Sequence, residues 1–177
     1  LFRSTIEKIK LNTIKDLKPL HKDGVLTIAH ASSIADGASA LILSTASWAK
    51  TYDKKPLAII RGWSSYGGHP KDFISAPIFA IQKLTHHLKW LLHQVALFEI
   101  NEAFALAPLL AIRQLKLDPE LVNAHGGACG LGHPLGASGV RIIISLLNTM
   151  YQKQKSRGIA SICIGGGEAL ALALEII

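Results

Sequence analysis

The chain has 177 residues, of which 49% are hydrophobic and 18% charged, with a formal net charge of +7. That is enough apolar material to bury a core in one or two domains. Two cysteines give no disulfide framework, no apolar run reaches the length of a membrane span, and Leu1-Phe2-Arg3-Ser4 opens no secretory leader.

Both cysteines fall in glycine-rich stretches, which reads as a reactive thiol in a reducing compartment, the cytoplasm. The first residue is not Met, which fits a fragment. Lys8, Lys10, Lys15, Lys18 and Lys22 crowd the N-terminal stretch, but without interleaved aromatics or a nucleic-acid motif they describe a solvated face.

In chain order, Ile6, Ile9, Ile14 and Leu17 are loosely helical in spacing, Pro19 ends that run, and Asp23-Gly24 is a turn. Residues 25–28 predict a short strand, 29–33 a small-residue loop, and 35–44 a buried helix or strand. Lys54-Lys55-Pro56 marks a boundary. A strand is expected over 57–63, a turn at Gly67-Gly68-His69-Pro70, and a helix over 77–92. That helix places Ile78, Ile81, Leu84, Leu88, Leu91 and Leu92 on one broad face.

Residues 95–100 are continuously apolar except for Glu99, the pattern of a strand covered on both faces. A helix over 102–115 follows, stopped at Asp118-Pro119. Further on come a helix over 138–153 with Ser138 as N-cap, a turn at 156–158, and strands at 159–164 and 169–176. Alternating strands and helices that end in a hairpin make an α/β layered domain.

The unusual stretch is 123–140, in which six of eighteen residues are glycine. Glycine permits tight turns and close approach to a ligand, because no Cβ forbids positive φ. The stretch also holds His125, Cys129 and His133, and it empties into a helix N-terminus, where free N–H groups favour negative charge. The spacing of four would align those three on a helix. The glycines and Pro134 oppose a helix there, and no closed set of four metal ligands is visible. Read alone, the stretch is either a connector with incidental histidines or a site.

Three motifs occur in a fixed order. Asn101-Glu102-Ala103-Phe104-Ala105 follows a predicted strand. Gly132-His133-Pro134-Leu135-Gly136-Ala137-Ser138-Gly139 precedes a helix, and Cys163-Ile164-Gly165-Gly166-Gly167 follows another strand. Together they resemble the thiolase family, the acetyl-CoA acetyltransferases and 3-ketoacyl-CoA thiolases. Upstream, Ala29-His30-Ala31-Ser32-Ser33-Ile34-Ala35-Asp36-Gly37-Ala38 resembles that family's G-N-A-S-G-x-N-D-G-A. The resemblance covers essentially the whole chain, but only the C-terminal part of a thiolase, which is a little over twice as long.

The resemblance implies a layered α/β fold, the five-stranded βαβαβαββ half of a duplicated domain. Residues 1–34 would end the loop domain, 35–56 would close the N-terminal thiolase domain, and 57–177 would form the C-terminal one. It implies an acyltransferase that runs reversible Claisen condensation and thiolysis of acetoacetyl-CoA or a longer 3-ketoacyl-CoA. Coenzyme A thioesters are then substrates, with no cofactor and no metal. The basic N-terminal face would attract the phosphates of CoA.

By the same resemblance Cys163 is the acid/base cysteine, and the N–H of Gly165 helps form an oxyanion hole. His133 activates the nucleophilic cysteine and contributes Nε2 to a second oxyanion hole, with a water held by Asn101. Glu102 matches the buried Glu beside these groups, Ser32 the serine that bonds the pantetheine arm, and Phe73 and Phe104 line the acyl pocket. Taken residue by residue, Asn101 also suits a helix N-cap, Cys163 an inert buried thiol, and Phe104 a core position. Cys129 reads as structural.

The sequence departs from the pattern at His30, Ser33 and Ala35, which stand for Asn, Gly and Asn. Neither cysteine matches the motif of the nucleophile. The chain by itself is therefore expected to be inactive and to need an N-terminal half or a chain supplying it. A homo-oligomer, dimer or tetramer, is expected, with no nucleic acid and no membrane as partner. The alternative is a non-catalytic thiolase-like module that binds CoA or a partner chain. A ketoacyl synthase is disfavoured by Cys163 in its C-I-G-G-G setting.

Overall fold

The computed structural model describes residues 15–177, so the helix expected near the N-terminus lies almost wholly outside the described residues. Four strands share one sheet: β1 (Ala58–Gly67), β2 (Leu97–Ile100), β3 (Arg157–Ile164) and β4 (Glu168–Ile176), in the spatial order β1-β4-β3-β2. β3 and β4 are an antiparallel hairpin, with Cys163 opposite Ala169. β1 pairs antiparallel with β4 and shifts register between Ile60 and Gly62. β2 runs parallel to β3, with Ile100 opposite Ser161.

Side-chain alternation builds the layers, because successive residues of a strand face opposite sides of the sheet. Helices α2 (Ala76–Leu88) and α3 (Leu106–Leu115) cover one side. There Ile78, Ile81 and Leu84 pack on Phe98, Ile100 and Ile159 and on the alanines 169, 171 and 173 of β4, whose small side chains let α2 approach closely. Helix α5 (Ser138–Gln152) covers the other side, where Ile142, Leu146 and Met150 meet Leu97, Ala160 and Leu174. All four residues of β2 are buried, as the apolar run predicts, and Glu99 is buried with them. Two short helices are also present, α1 (Ala46–Thr51) and α4 (Ala128–Leu131).

Several expected elements are corrected. Residues 25–28 are not a strand. Thr27 makes one bridge to Pro19 and then caps a 3-10 turn, Ile28–His30, with its hydroxyl. Local side-chain bonding of this kind competes with ladder pairing. Residues 35–44 form neither a helix nor a strand and are largely exposed, Ile42 at 94%. Their small side chains bury little, and no strand pairs with them among the described residues.

Helix α2 stops at Leu88, because Lys89 turns into the left-handed region at φ 55°; Leu91 and Leu92 therefore lie beyond its apolar face. Helix α3 begins at Leu106 rather than Glu102. Residues 103–105 are occupied in pairing with 30–32: Ala31 bridges Phe104, and the N–H of Ala105 donates to the carbonyl of His30 at 2.8 Å. The third of the five expected strands is a single parallel bridge, Val122 to Phe98, at the outer edge of β2. The glycine-rich stretch does contain one helical turn, α4, and Ser138 is the first residue of α5 rather than its cap.

Candidate active site

Parallel strands bring their C-terminal ends to one edge, and the three motifs meet there. The N–H of Asn101 extends the β2 ladder by donating to Ser161 of β3 at 2.9 Å. Cys163 lies two residues further along β3, buried opposite Ala169, and Gly165 sits in the turn that follows. Gly167 closes this turn at φ +92°, a conformation that favours glycine, and a Cβ on it would fall 2.5 Å from the carbonyl oxygen of Gly68.

His133 reaches the same edge from the glycine-rich loop. Its N–H donates to Ser33 at 2.8 Å, and Ile34 bridges it, so the segment resembling the CoA loop is stitched to the histidine loop. The His133 ring is buried between two partners: Nε2 lies 3.2 Å from Asn101 Nδ2, and Nδ1 lies 2.6 Å from Ser138 Oγ. Ser138 donates its only hydroxyl proton to the carbonyl of Pro134 at 3.0 Å, which leaves Oγ as the acceptor for an Nδ1–H. Nε2 then carries the lone pair. Burial, with the positive charge of Arg141 second, lowers the pKa of His133, so the ring is neutral near pH 7.

Glu102 does not touch this ring. Its carboxylate accepts from Cys129 N at 2.9 Å and from Asn123 Nδ2 at 3.2 Å, holding the first turn of α4 and the loop before it. Gly127 is required beside it, since a Cβ there would lie 2.4 Å from Glu102 Cδ. The Asn123 amide also exchanges two bonds with Ile100, at 2.7 and 2.8 Å, standing in for a strand at the edge of β2. Cys129 is a packed thiol: its Sγ faces the carbonyl of His30, and burial and then Glu102 push its pKa up to about 11. Burial also raises the pKa of Cys163, which is therefore a thiol at rest.

The remaining candidates are distributed around this edge. Phe73 and Phe104 meet edge to face at 6.3 Å between centroids, both half-buried. Ser32 is bound to the Asn-Glu-Ala-Phe turn, donating Oγ to Ala103 at 3.1 Å, so only its lone pairs remain for a further partner. A cleft of about 330 Å³ is lined by residues 35–39 and 134–137, which Ser39 joins by donating Oγ to Ala137 at 2.8 Å. Among the described residues no three His, Cys, Asp or Glu side chains converge as metal ligands. No helix among them is long and apolar enough to cross a membrane.

Three contributors escaped the sequence reading: Arg141, Asn123 and Glu99. Arg141 donates from Nη2 to Asn101 Oδ1 at 3.0 Å, while its buried Nε and Nη1 have no partner among the described residues. Glu99 has a pKa raised to about 7, chiefly by burial, with Arg141 lowering it and Glu102 raising it further. A lone arginine in an apolar helical run was the one available signal, and the strand pattern had already singled out Glu99 without giving it a role.

Residues 54–176 match the family model for the thiolase C-terminal domain. The chain belongs to the thiolase family. It is 47% identical over 154 residues to an acetyl-CoA acetyltransferase of Synechocystis, an alignment that covers 87% of this chain and 39% of that protein. The crystal structure of the Bacillus anthracis acetyl-CoA acetyltransferase superposes with a TM-score of 0.92 at 40% identity, over 96% of this chain and 43% of that one. A thiolase of Ascaris suum in complex with coenzyme A superposes at 0.87 with 34% identity, over 98% of this chain and 46% of that one. The chain thus spans about two fifths of the length of the thiolases it matches.

Proposed function

We propose that this thiolase chain supplies the histidine, the acid/base cysteine and the oxyanion donors of an acyl-CoA acyltransferase, and that a further polypeptide segment supplies the nucleophilic cysteine. The observation that carries this reading is the place of His133 Nε2, 3.2 Å from Asn101 Nδ2 beside the strand end that bears Cys163. The Ascaris suum relative in complex with coenzyme A supports a CoA thioester as substrate. No cofactor is needed for the steps below.

In the thiolysis direction, His133 Nε2 takes the proton of the supplied thiol, and the thiolate attacks the 3-keto carbon. Collapse of the oxyanion so formed breaks the C2–C3 bond, and the electron pair goes to C2. Cys163, resting as a thiol, gives its proton to C2, and acetyl-CoA leaves. Two sets of donors stabilise the successive oxyanions: the N–H of Gly165, and His133 Nε2 with a water held by Asn101. The Cys163 thiolate then takes the proton of an incoming CoA thiol. The CoA sulfur attacks the acyl-enzyme and releases the shortened acyl-CoA and the nucleophile's thiolate, which recovers its proton from the imidazolium. Every protein group regains its starting protonation state, and the CoA thiol proton replaces the one delivered to C2. Glu102 and Asn123 hold the loop, Ser32 accepts from the pantetheine arm, and Phe73 with Phe104 borders the acyl group. The assembled protein is a homo-oligomer working in a reducing compartment, in keeping with two free cysteines.

The test is complementation. The chain is co-expressed with the N-terminal part of the Synechocystis acetyl-CoA acetyltransferase that lies outside the aligned region, and thiolysis of acetoacetyl-CoA is followed. Turnover is expected from the pair, from neither part alone, and from no pair carrying Cys163→Ala. A folded pair without turnover would overturn this reading in favour of the other, a non-catalytic module that binds CoA or a partner chain.

A further inference from the structure

The polar side chains at the strand edge form one directed chain of hydrogen bonds. Arg141 Nη2 meets Asn101 Oδ1 at 3.0 Å, Asn101 Nδ2 meets His133 Nε2 at 3.2 Å, His133 Nδ1 meets Ser138 Oγ at 2.6 Å, and Ser138 Oγ meets the carbonyl of Pro134 at 3.0 Å. Its two ends have fixed polarity. A guanidinium only donates, and a backbone carbonyl only accepts. Every group between them must therefore accept on the Arg141 side and donate on the Pro134 side. The amide presents its oxygen to Arg141 and its NH₂ to the ring, the ring is protonated on Nδ1, and the hydroxyl points at Pro134.

The guanidinium acts on Glu99 and Glu102 only through space, with no ion pair to either. Its buried Nε and Nη1 have no partner among the described residues, so its bond to Asn101 is the contact it keeps at the cost of two unmet donors. It sits on the first turn of α5, three residues after Ser138, so one helical turn supplies two members of the relay, one on each side of the Asn101–His133 pair.

We propose that Arg141 is a positioning residue that fixes the orientation of the Asn101 amide and, through it, the Nδ1–H tautomer of His133. Without the guanidinium the amide can rotate by half a turn at little cost, and its oxygen then calls for an Nε2–H. That tautomer has no lone pair where a thiol proton must be taken. The catalytic consequence rests on the acyltransferase reading, but the tautomer is a property of this chain and is measured without turnover.

The experiment is nitrogen NMR of the 177-residue chain labelled with ¹⁵N-histidine, with His133 assigned by comparison with His133→Gln. In the unaltered chain His133 should show one pyrrole-type nitrogen, Nδ1, and one pyridine-type nitrogen, Nε2. Finding the reverse pattern, or an average of the two, overturns the proposal before any relay variant is made. In Arg141→Met the two signals should move toward each other as the tautomers mix, and Arg141→Lys, which keeps a charged donor, should restore most of the separation.

Asn101→Asp offers only acceptors to Nε2, so Nε2 should become protonated. A folded Arg141→Met chain with the original single tautomer would overturn the proposal, because a merely structural arginine would lower stability and leave the ring unchanged. If Arg141→Met does not fold, Arg141→Gln, a neutral side chain that can offer Asn101 either a donor or an acceptor, takes its place: mixing of the two signals is expected, and a folded Arg141→Gln chain with the original single tautomer overturns the proposal. Failure of the complementation assay with the tautomer intact would count against the acyltransferase reading alone.

Discussion

At the residue scale, a carboxyl buried on β2 and a guanidinium on the first turn of α5 govern the electrostatics of the site without touching each other. Unfolded, Glu99 ionises near its ordinary 4.5; folded, it holds its proton to about 7. The native chain therefore binds more protons than the unfolded one between those values, and stability falls as pH rises through that window. Glu99→Gln mimics the neutral acid. It should leave stability at pH 4.5 nearly unchanged and raise it at pH 8 by up to about 3 kcal/mol, read from urea unfolding. Equal effects at both pH values would show that Glu99 does not titrate there. His133 runs the other way: its pKa is lowered, so native stability drops as pH falls below 6.5, and the Glu99→Gln background isolates that slope. The cysteines give a second check. With Cys129 up at about 11, its thiolate fraction at pH 8 is on the order of 100-fold below that of an ordinary thiol, and Cys163 is shifted the same way. Both should resist iodoacetamide in the folded chain and react readily in urea, as seen by mass spectrometry. Rapid alkylation of either one when folded would contradict these environments. His133 and Asn101 were legible in the sequence because each sits in a motif. Arg141 and Asn123 were not, since their importance comes from partners 40 and 23 residues away.

At the element scale, the short helix α4 exists because a distant carboxylate holds its first turn. Glu102 binds the N–H of Cys129, and Gly127 leaves the room for it. Gly127→Ala should displace Glu102 and lower stability by about 1–3 kcal/mol. Gly136→Ala, where a Cβ meets nothing within 4 Å, should cost far less. Comparable losses in the two variants, measured by urea unfolding, would mean that backbone freedom rather than crowding matters at Gly127. The same element shows what periodicity can and cannot convey. Long patterned segments were legible: α5, the β3–β4 hairpin and the doubly covered β2 all follow from apolar spacing. The stop of α2 and the start of α3 were not. Lys89 adopts a left-handed cap usually filled by glycine, and residues 103–105 are diverted by pairing with 30–32. A one-turn helix in a glycine-rich run, dependent on a carboxylate 27 residues away, carries no local signature.

At the scale of the whole molecule, the sheet is covered unequally. Helices α2 and α3 close one side, whereas on the other side α5 lies over β2 and β3 and leaves β1 and much of β4 open. The opening is an apolar cleft bordered by Trp63, Ile143, Ile162, Leu170 and Leu172, with Trp63 68% exposed. Residues 35–44 add Ile42 and Leu43 to the exposed apolar surface. Contiguous apolar surface of this kind marks a face that another chain covers. The chain alone should therefore self-associate, giving masses by light scattering that are multiples of a single chain and rise with concentration. Trp63→Lys should shift that population toward monomer without unfolding it, because Trp63 packs on no core cluster of the described residues. Adding the complementing half should compete with self-association and move the tryptophan emission to shorter wavelength as the indole leaves water. A monodisperse monomer, with Trp63 freely quenched by acrylamide in the presence of the other half, would mean that the open face is not where the two parts of the protein meet.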